Sequence, residues 1–110
     1  MNDETRKNLI DILQAAEEIQ MFTHGMDFKA YQNSPITQRA VERDFEIIGE
    51  AASHIPADIK ERYSDIPWDK MKAMRNIMIH EYFGVDLETI WKTARLSLTP
   101  LRENISNIVK

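Results

Sequence analysis

In four separate stretches of this 110-residue chain, apolar residues recur at steps of three and four, the period of an α-helix that buries one face. Leu9, Ile12, Leu13, Ala16, Ile19 and Phe22 make the first stripe, opened by a capping Asp3 and closed by Gly25. Ser34 before Pro35 matches an N-cap followed by proline at the first helical position, and Val41, Phe45, Ile48, Ala52 and Ile55 carry the second stripe to a stop before Pro56. Pro67-Trp68 starts a third helix that runs toward Gly84. Asp86 caps a fourth, whose stripe of Leu87, Ile90, Trp91, Ala94, Leu98, Leu101, Ile105 and Ile108 continues past Pro100, so the proline should kink this helix rather than end it. Met26 to Asn33 and Ala57 to Tyr63 read as short helical connections. The expected fold is all-α, an up-down four-helix bundle with short connecting helices, in one domain spanning residues 1–110.

Composition removes whole classes of chemistry. With no cysteine there are no disulfides, thiolate nucleophiles or cysteine-based zinc or iron–sulfur sites. His24, His54 and His80 form no HxxxH or HExxH pair, so neither a metal nor another cofactor is expected. The three glycines are isolated at 25, 49 and 84, which excludes a P-loop. Gly49 lies inside the second helix at a cost of about 1 kcal/mol relative to alanine, and so marks a close helix crossing, within the chain or across a dimer. The longest aliphatic run, Ile77-Met78-Ile79, is far short of the roughly 20 residues that span a bilayer. Residues 1–7 carry no apolar signal segment, and a cytoplasmic location is the expectation. Fourteen basic residues against eighteen acidic ones argue against bulk electrostatic binding of nucleic acid or anionic membrane. From Lys60 to His80, however, Lys60, Arg62, Lys70, Lys72 and Arg75 outnumber Glu61, Asp65 and Asp69, leaving this segment net positive in a chain of net charge −4.

That segment holds an anomaly. At about 100° per residue, Trp68, Met71, Met74, Met78, Ile79 and Tyr82 fall in one arc of roughly 140°, and Arg75 falls inside it. A guanidinium cannot shed its charge. It must pair with an acid, for which Glu46 and Glu50 are the candidates, snorkel to water, or face a polar cleft. Asn76 and His80 share one flank of the arc, and Arg75 and Tyr82, seven apart, nearly superpose on the helix surface. Arginine suits a phosphate or developing negative charge, and histidine suits proton transfer near neutral pH. Spacing alone leaves a catalytic pair and a structural ion pair both open.

The segment from Arg75 to Tyr82, RNIMIHEY, resembles the R-x-x-x-x-H-x-Y motif of HepT-like toxins in the HEPN superfamily. Glu46-Ile47-Ile48-Gly49-Glu50-Ala51-Ala52 resembles the second helix of that family, Ile66-Pro67-Trp68 its entry to the motif helix, and Tyr82-Phe83-Gly84-Val85-Asp86 the turn that follows. The resemblance implies a metal-independent endoribonuclease that acts as a homodimer, with Arg75 holding the scissile phosphate, His80 as general acid or base, and Asn76 orienting the phosphate or the histidine. It further implies a nucleotidyltransferase antitoxin as partner, which transfers AMP onto Tyr82. The alternative is a non-catalytic nucleotide- or protein-binding partner of a nucleotidyltransferase. In a purely structural bundle, Arg75 would instead neutralise a buried acid, and its loss would cost several kcal/mol.

Overall fold

Side-chain caps and prolines set the helix boundaries. A computed structural model gives the fold for residues 1–80, with the backbone alone at His80, and for residues 86–110. Helix α1 spans Asp3–Thr23, α2 Phe28–Gln32, α3 Pro35–Ser53, α4 Ala57–Arg62, α5 Trp68–His80, α6 Leu87–Leu96 and α7 Leu98–Val109. The cap of α1 is Asn2, one residue before the expected Asp3. The Asn2 side chain accepts from the Thr5 amide at 2.8 Å, while Asp3 lies in the first turn, where its negative charge meets the positive end of the helix dipole. Asp27 and Asp86 cap α2 and α6 in the same way, and the Ser34 hydroxyl faces the Thr37 amide ahead of Pro35. Beyond α1 the chain turns through Gly25 at φ 76°, a left-handed conformation that favours glycine.

The fourth predicted helix is two. The chain breaks at Ser97, three residues before Pro100, and α7 restarts so that the proline lies in its first turn. A proline there gives up an amide that no helix would have satisfied, whereas in an unbroken helix it would leave the Leu96 carbonyl unpaired. The apolar stripe crosses the break intact, with Ile90, Ala94, Leu98, Leu101, Ile105 and Ile108 all buried.

The result is an all-α helical bundle whose central member is α3, packed between α1 and α5, with α7 on the other side of α1 and α6 running beside α1 and α2. One contiguous core joins Leu9, Ile12, Ala16 and Ile19 of α1 to Val41, Phe45, Ile48 and Ala52 of α3, to Trp68, Met71 and Met78 of α5, and to α6 and α7. Where α5 leans away from α6 and α7, a cavity of about 310 Å³ opens among Phe45, Ile48, Met71, Met74, Leu98 and Leu101. Tyr31, in the short α2, is fully buried against Trp91, with ring centroids 5.2 Å apart. Its period-three spacing to Phe28 marked a helical turn but not a core position. Among the described residues no helix is long and apolar enough to cross a membrane.

Candidate active site

The α3–α5 crossing creates the site. Gly49 of α3 meets α5 so closely that a Cβ added there would lie 2.7 Å from the Met71 carbonyl oxygen and would overlap the Arg75 Cβ. The crossing is therefore within the chain, and it fixes the root of the Arg75 side chain against bare α3 backbone. At its tip, Nη1 donates to Glu50 Oε2 at 2.7 Å, while Nε and Nη2 both donate to Asn76 Oδ1, at 3.2 and 2.9 Å. A guanidinium has five N–H groups. Among the described residues three are taken, which leaves one hydrogen each on Nη1 and Nη2.

Of the two candidate acids, Glu50 is the partner and Glu46 is not: Glu46 pairs within its own helix with Arg43 at 3.3 Å. Glu50 also receives His54, whose Nε2 lies 3.1 Å from the other carboxylate oxygen, Oε1. The bonds from Arg75 and then from His54 hold the Glu50 carboxyl below the usual carboxylate range. The outcome is a row of four polar side chains, His54, Glu50, Arg75 and Asn76, joined across two helices. The acid in this row is 58% exposed and the arginine 19%. A structural arginine neutralising a buried acid would show the reverse; here the acid is the solvated member, and the Arg75 side chain keeps a partial exposure of its own.

Asn76 spends its carbonyl oxygen on Arg75. Ile79, expected in the apolar arc, is 50% exposed, and Ile77 is also exposed. Ile79 stands at the edge of the arc, just beyond Arg75, near the end of α5. The backbone remains helical from Arg75 to His80. The His80 side chain, and Tyr82 as a whole, lie outside the described residues. Among the described residues, no group of three or more His, Cys, Asp or Glu is placed to hold a metal ion. His54 is the member of the row that the sequence did not single out. Its signal was the four-residue step from Glu50, which puts both on one face of a helix.

The family model described as "Ribonuclease HepT-like" matches residues 12–108, nearly the whole chain and all of this geometry. The chain belongs to the HepT-like ribonuclease family. As a HepT-like ribonuclease it is an endoribonuclease, with RNA as its substrate class. A relative from Thermococcus cleftensis named "Probable ribonuclease HepT" is 41% identical over 102 residues, covering 93% of each chain. "Putative RNase MJ0125" of Methanocaldococcus jannaschii is 40% identical over 102 residues, 93% of this chain and 88% of its own. A third relative, from the same archaeon, is named "Gamma-glutamylcyclotransferase and putative RNase MJ0434"; it is 36% identical across all 110 residues, which cover 50% of its length. No solved structure gives a significant match.

Proposed function

We propose that this HepT-like ribonuclease is the toxin of a toxin–antitoxin pair that cleaves RNA without metal, using Arg75 and His80. The observation that carries this reading is the Arg75 guanidinium: held at root and tip and still partly exposed, it keeps two hydrogens without a partner among the described residues, enough for a ligand such as a phosphate. In the reaction the ribose 2′-oxygen bonds to phosphorus and the bond from phosphorus to the 5′-oxygen breaks. A proton leaves the 2′-hydroxyl and one reaches the departing 5′-oxygen. His80 serves as general acid or base in these transfers, and Arg75 stabilises the charge on the phosphoryl oxygens. The products are a 2′,3′-cyclic phosphate and a 5′-hydroxyl.

The acting unit is a homodimer of one-domain chains, residues 1–110, in the cytoplasm. In the dimer the two motif helices, each with its Arg75 and His80, would face one cleft, as two-fold symmetry allows. One observation supports it. Ile79, half exposed within the motif at the edge of the apolar arc, is apolar surface that a second copy would cover. Two copies also bring two positive segments to the RNA, which offsets the acidic chain. The antitoxin is a nucleotidyltransferase that adds AMP to Tyr82, seven residues on from Arg75 in sequence, where the added charge and bulk would compete with the RNA phosphate.

Cleavage of a mixed RNA pool by the purified chain in EDTA, beside His80→Ala, with product ends mapped, tests the chemistry. Cyclic-phosphate ends from the wild type alone are expected. A folded, unmodified wild type that cuts nothing would leave the non-catalytic partner of a nucleotidyltransferase as the function. Intact mass after co-expression with the nucleotidyltransferase should show AMP, lost in Tyr82→Phe; an unmodified Tyr82 would end the regulatory claim.

A further inference from the structure

We infer that Glu50 is a positioning residue for the ribonuclease reaction, its carboxylate braced by His54 on one oxygen and aiming the Arg75 guanidinium with the other. The inference rests on the proposed function, in which Arg75 grips the scissile phosphate.

A negative charge beside a phosphate-binding arginine is electrostatically unhelpful. Glu50 weakens the pull on RNA, and at 58% exposure it has water as an alternative partner. Its placement makes sense if what it supplies is direction. Arginine reaches its target through four rotatable bonds, and Gly49 fixes only the root of that chain, at the Cβ and Cγ of Arg75. Asn76, the next residue on the same helix, occupies the edge of the guanidinium formed by Nε and Nη2. Rotation of the plane toward or away from α3 is left open, and the bond from Nη1 to Glu50 closes it from a second helix, 25 residues away in sequence. The Glu50 carboxylate in turn would swing freely on an exposed face, were it not for His54, at the C-terminal cap of α3, on its other oxygen. Adjacent residues of α3 thus act in complement, Gly49 admitting the arginine and Glu50 aiming it. The plane so defined presents the remaining hydrogens of Nη1 and Nη2 in a fixed direction, the pre-organisation that transition-state stabilisation requires.

Steady-state cleavage of one RNA oligonucleotide by the full chain, with thermal melts of each variant, tests this. Glu50→Ala should lower kcat by about 10- to 100-fold, the scale of a misaimed catalytic group. KM should stay the same or fall, because the competing charge is gone. Glu50→Gln retains an acceptor oxygen for Nη1 and should fall between Ala and wild type. His54→Ala should reduce kcat by less than Glu50→Ala does. A Glu50→Ala protein with wild-type kcat and a lowered Tm would reduce Glu50 to a staple between α3 and α5, and one with raised kcat would make it a simple competitor of RNA; either overturns the inference. If Glu50→Ala does not fold, Glu50→Gln decides: a folded Gln variant with unchanged kcat also overturns it. An inactive wild type, or an Arg75→Ala variant that cleaves normally, would instead bring down the proposed function itself, whereas an active wild type indifferent to Glu50 would bring down this inference alone.

Discussion

The two sides of α3 treat a charged group in opposite ways. Toward α1, Asp44 is buried to 4% exposure with Glu18 as its neighbour, and burial, the hydrogen bond with Glu18 and that residue's charge push its pKa up to about 7. Toward α5, Arg75 enters beside Gly49 with an acid and an amide as partners and keeps part of its side chain in water. A carboxyl that lacks a cation can surrender its charge by taking a proton. A guanidinium has no such exit, so the structure around it must supply partners, and partners that also face solvent leave it available to a ligand. Charge at a partly buried position is tolerated for different reasons on the two faces, and only one face is a candidate for chemistry.

The strongest way to break that contrast is Arg75→Ala. Its expected effect is a loss of about 10²–10³-fold in kcat, the scale of removing one pre-organised donor to the developing charge, with little change in Tm because the acid left behind is already solvated. A large drop in Tm with the activity of the folded fraction intact would return Arg75 to a structural role. Gly49→Ala comes next. A methyl group has no room against the Met71 carbonyl and the Arg75 side chain, so the helices must part, at a cost of about 1–3 kcal/mol by denaturant unfolding; an unchanged midpoint would show that the helices can separate there without penalty.

Asp44→Asn probes the opposite face. The folded-state pKa of Asp44, about 7, stands above its ordinary 3.8, so the folded chain holds the proton more tightly. The stability this group contributes is complete below about pH 4 and is lost as pH rises through 7. The amide should therefore stabilise the protein at pH 8 by about 1–2 kcal/mol, discounted from the full linkage value, and by less at pH 5. Thermal melts at the two pH values check the sign, and an equal effect at both would contradict it. The smallest change is expected from Tyr31→Phe. The Tyr31 hydroxyl is buried without a partner among the described residues, and burial raises its pKa further beyond the usual range. Removing it should leave stability unchanged or raise it by up to about 1 kcal/mol, and a clear loss would reveal a partner for the hydroxyl.

Most of the core was legible from spacing. Val41, Phe45, Ile48, Ala52 and Ile55, picked out by period alone, are all buried, because a helix with a 3.6-residue repeat can hide only residues that share an arc. The odd position of Arg75 was legible for the same reason. The break at Ser97 was harder to place, since a proline disturbs the carbonyl four residues before it rather than its own position. Tyr31 and Asp44 were missed as buried groups: one belongs to a helix too short for periodicity, and the other is a polar residue whose burial depends on what α1 brings against it.

Helix period, caps and motif spacing are one-dimensional properties, and they determined the all-α fold, the helix that carries Arg75 and His80, and the family to which the chain belongs. Which acid meets the arginine was beyond them. Glu46 and Glu50 are one turn apart and equivalent on the helix, and only the approach of α5 over Gly49 puts Glu50 within 2.7 Å of Arg75 and leaves Glu46 to Arg43. Local interactions decide whether a segment is helical, but the distance between two segments is set by the smallest side chain where they cross, and that contact exists only after the bundle has formed.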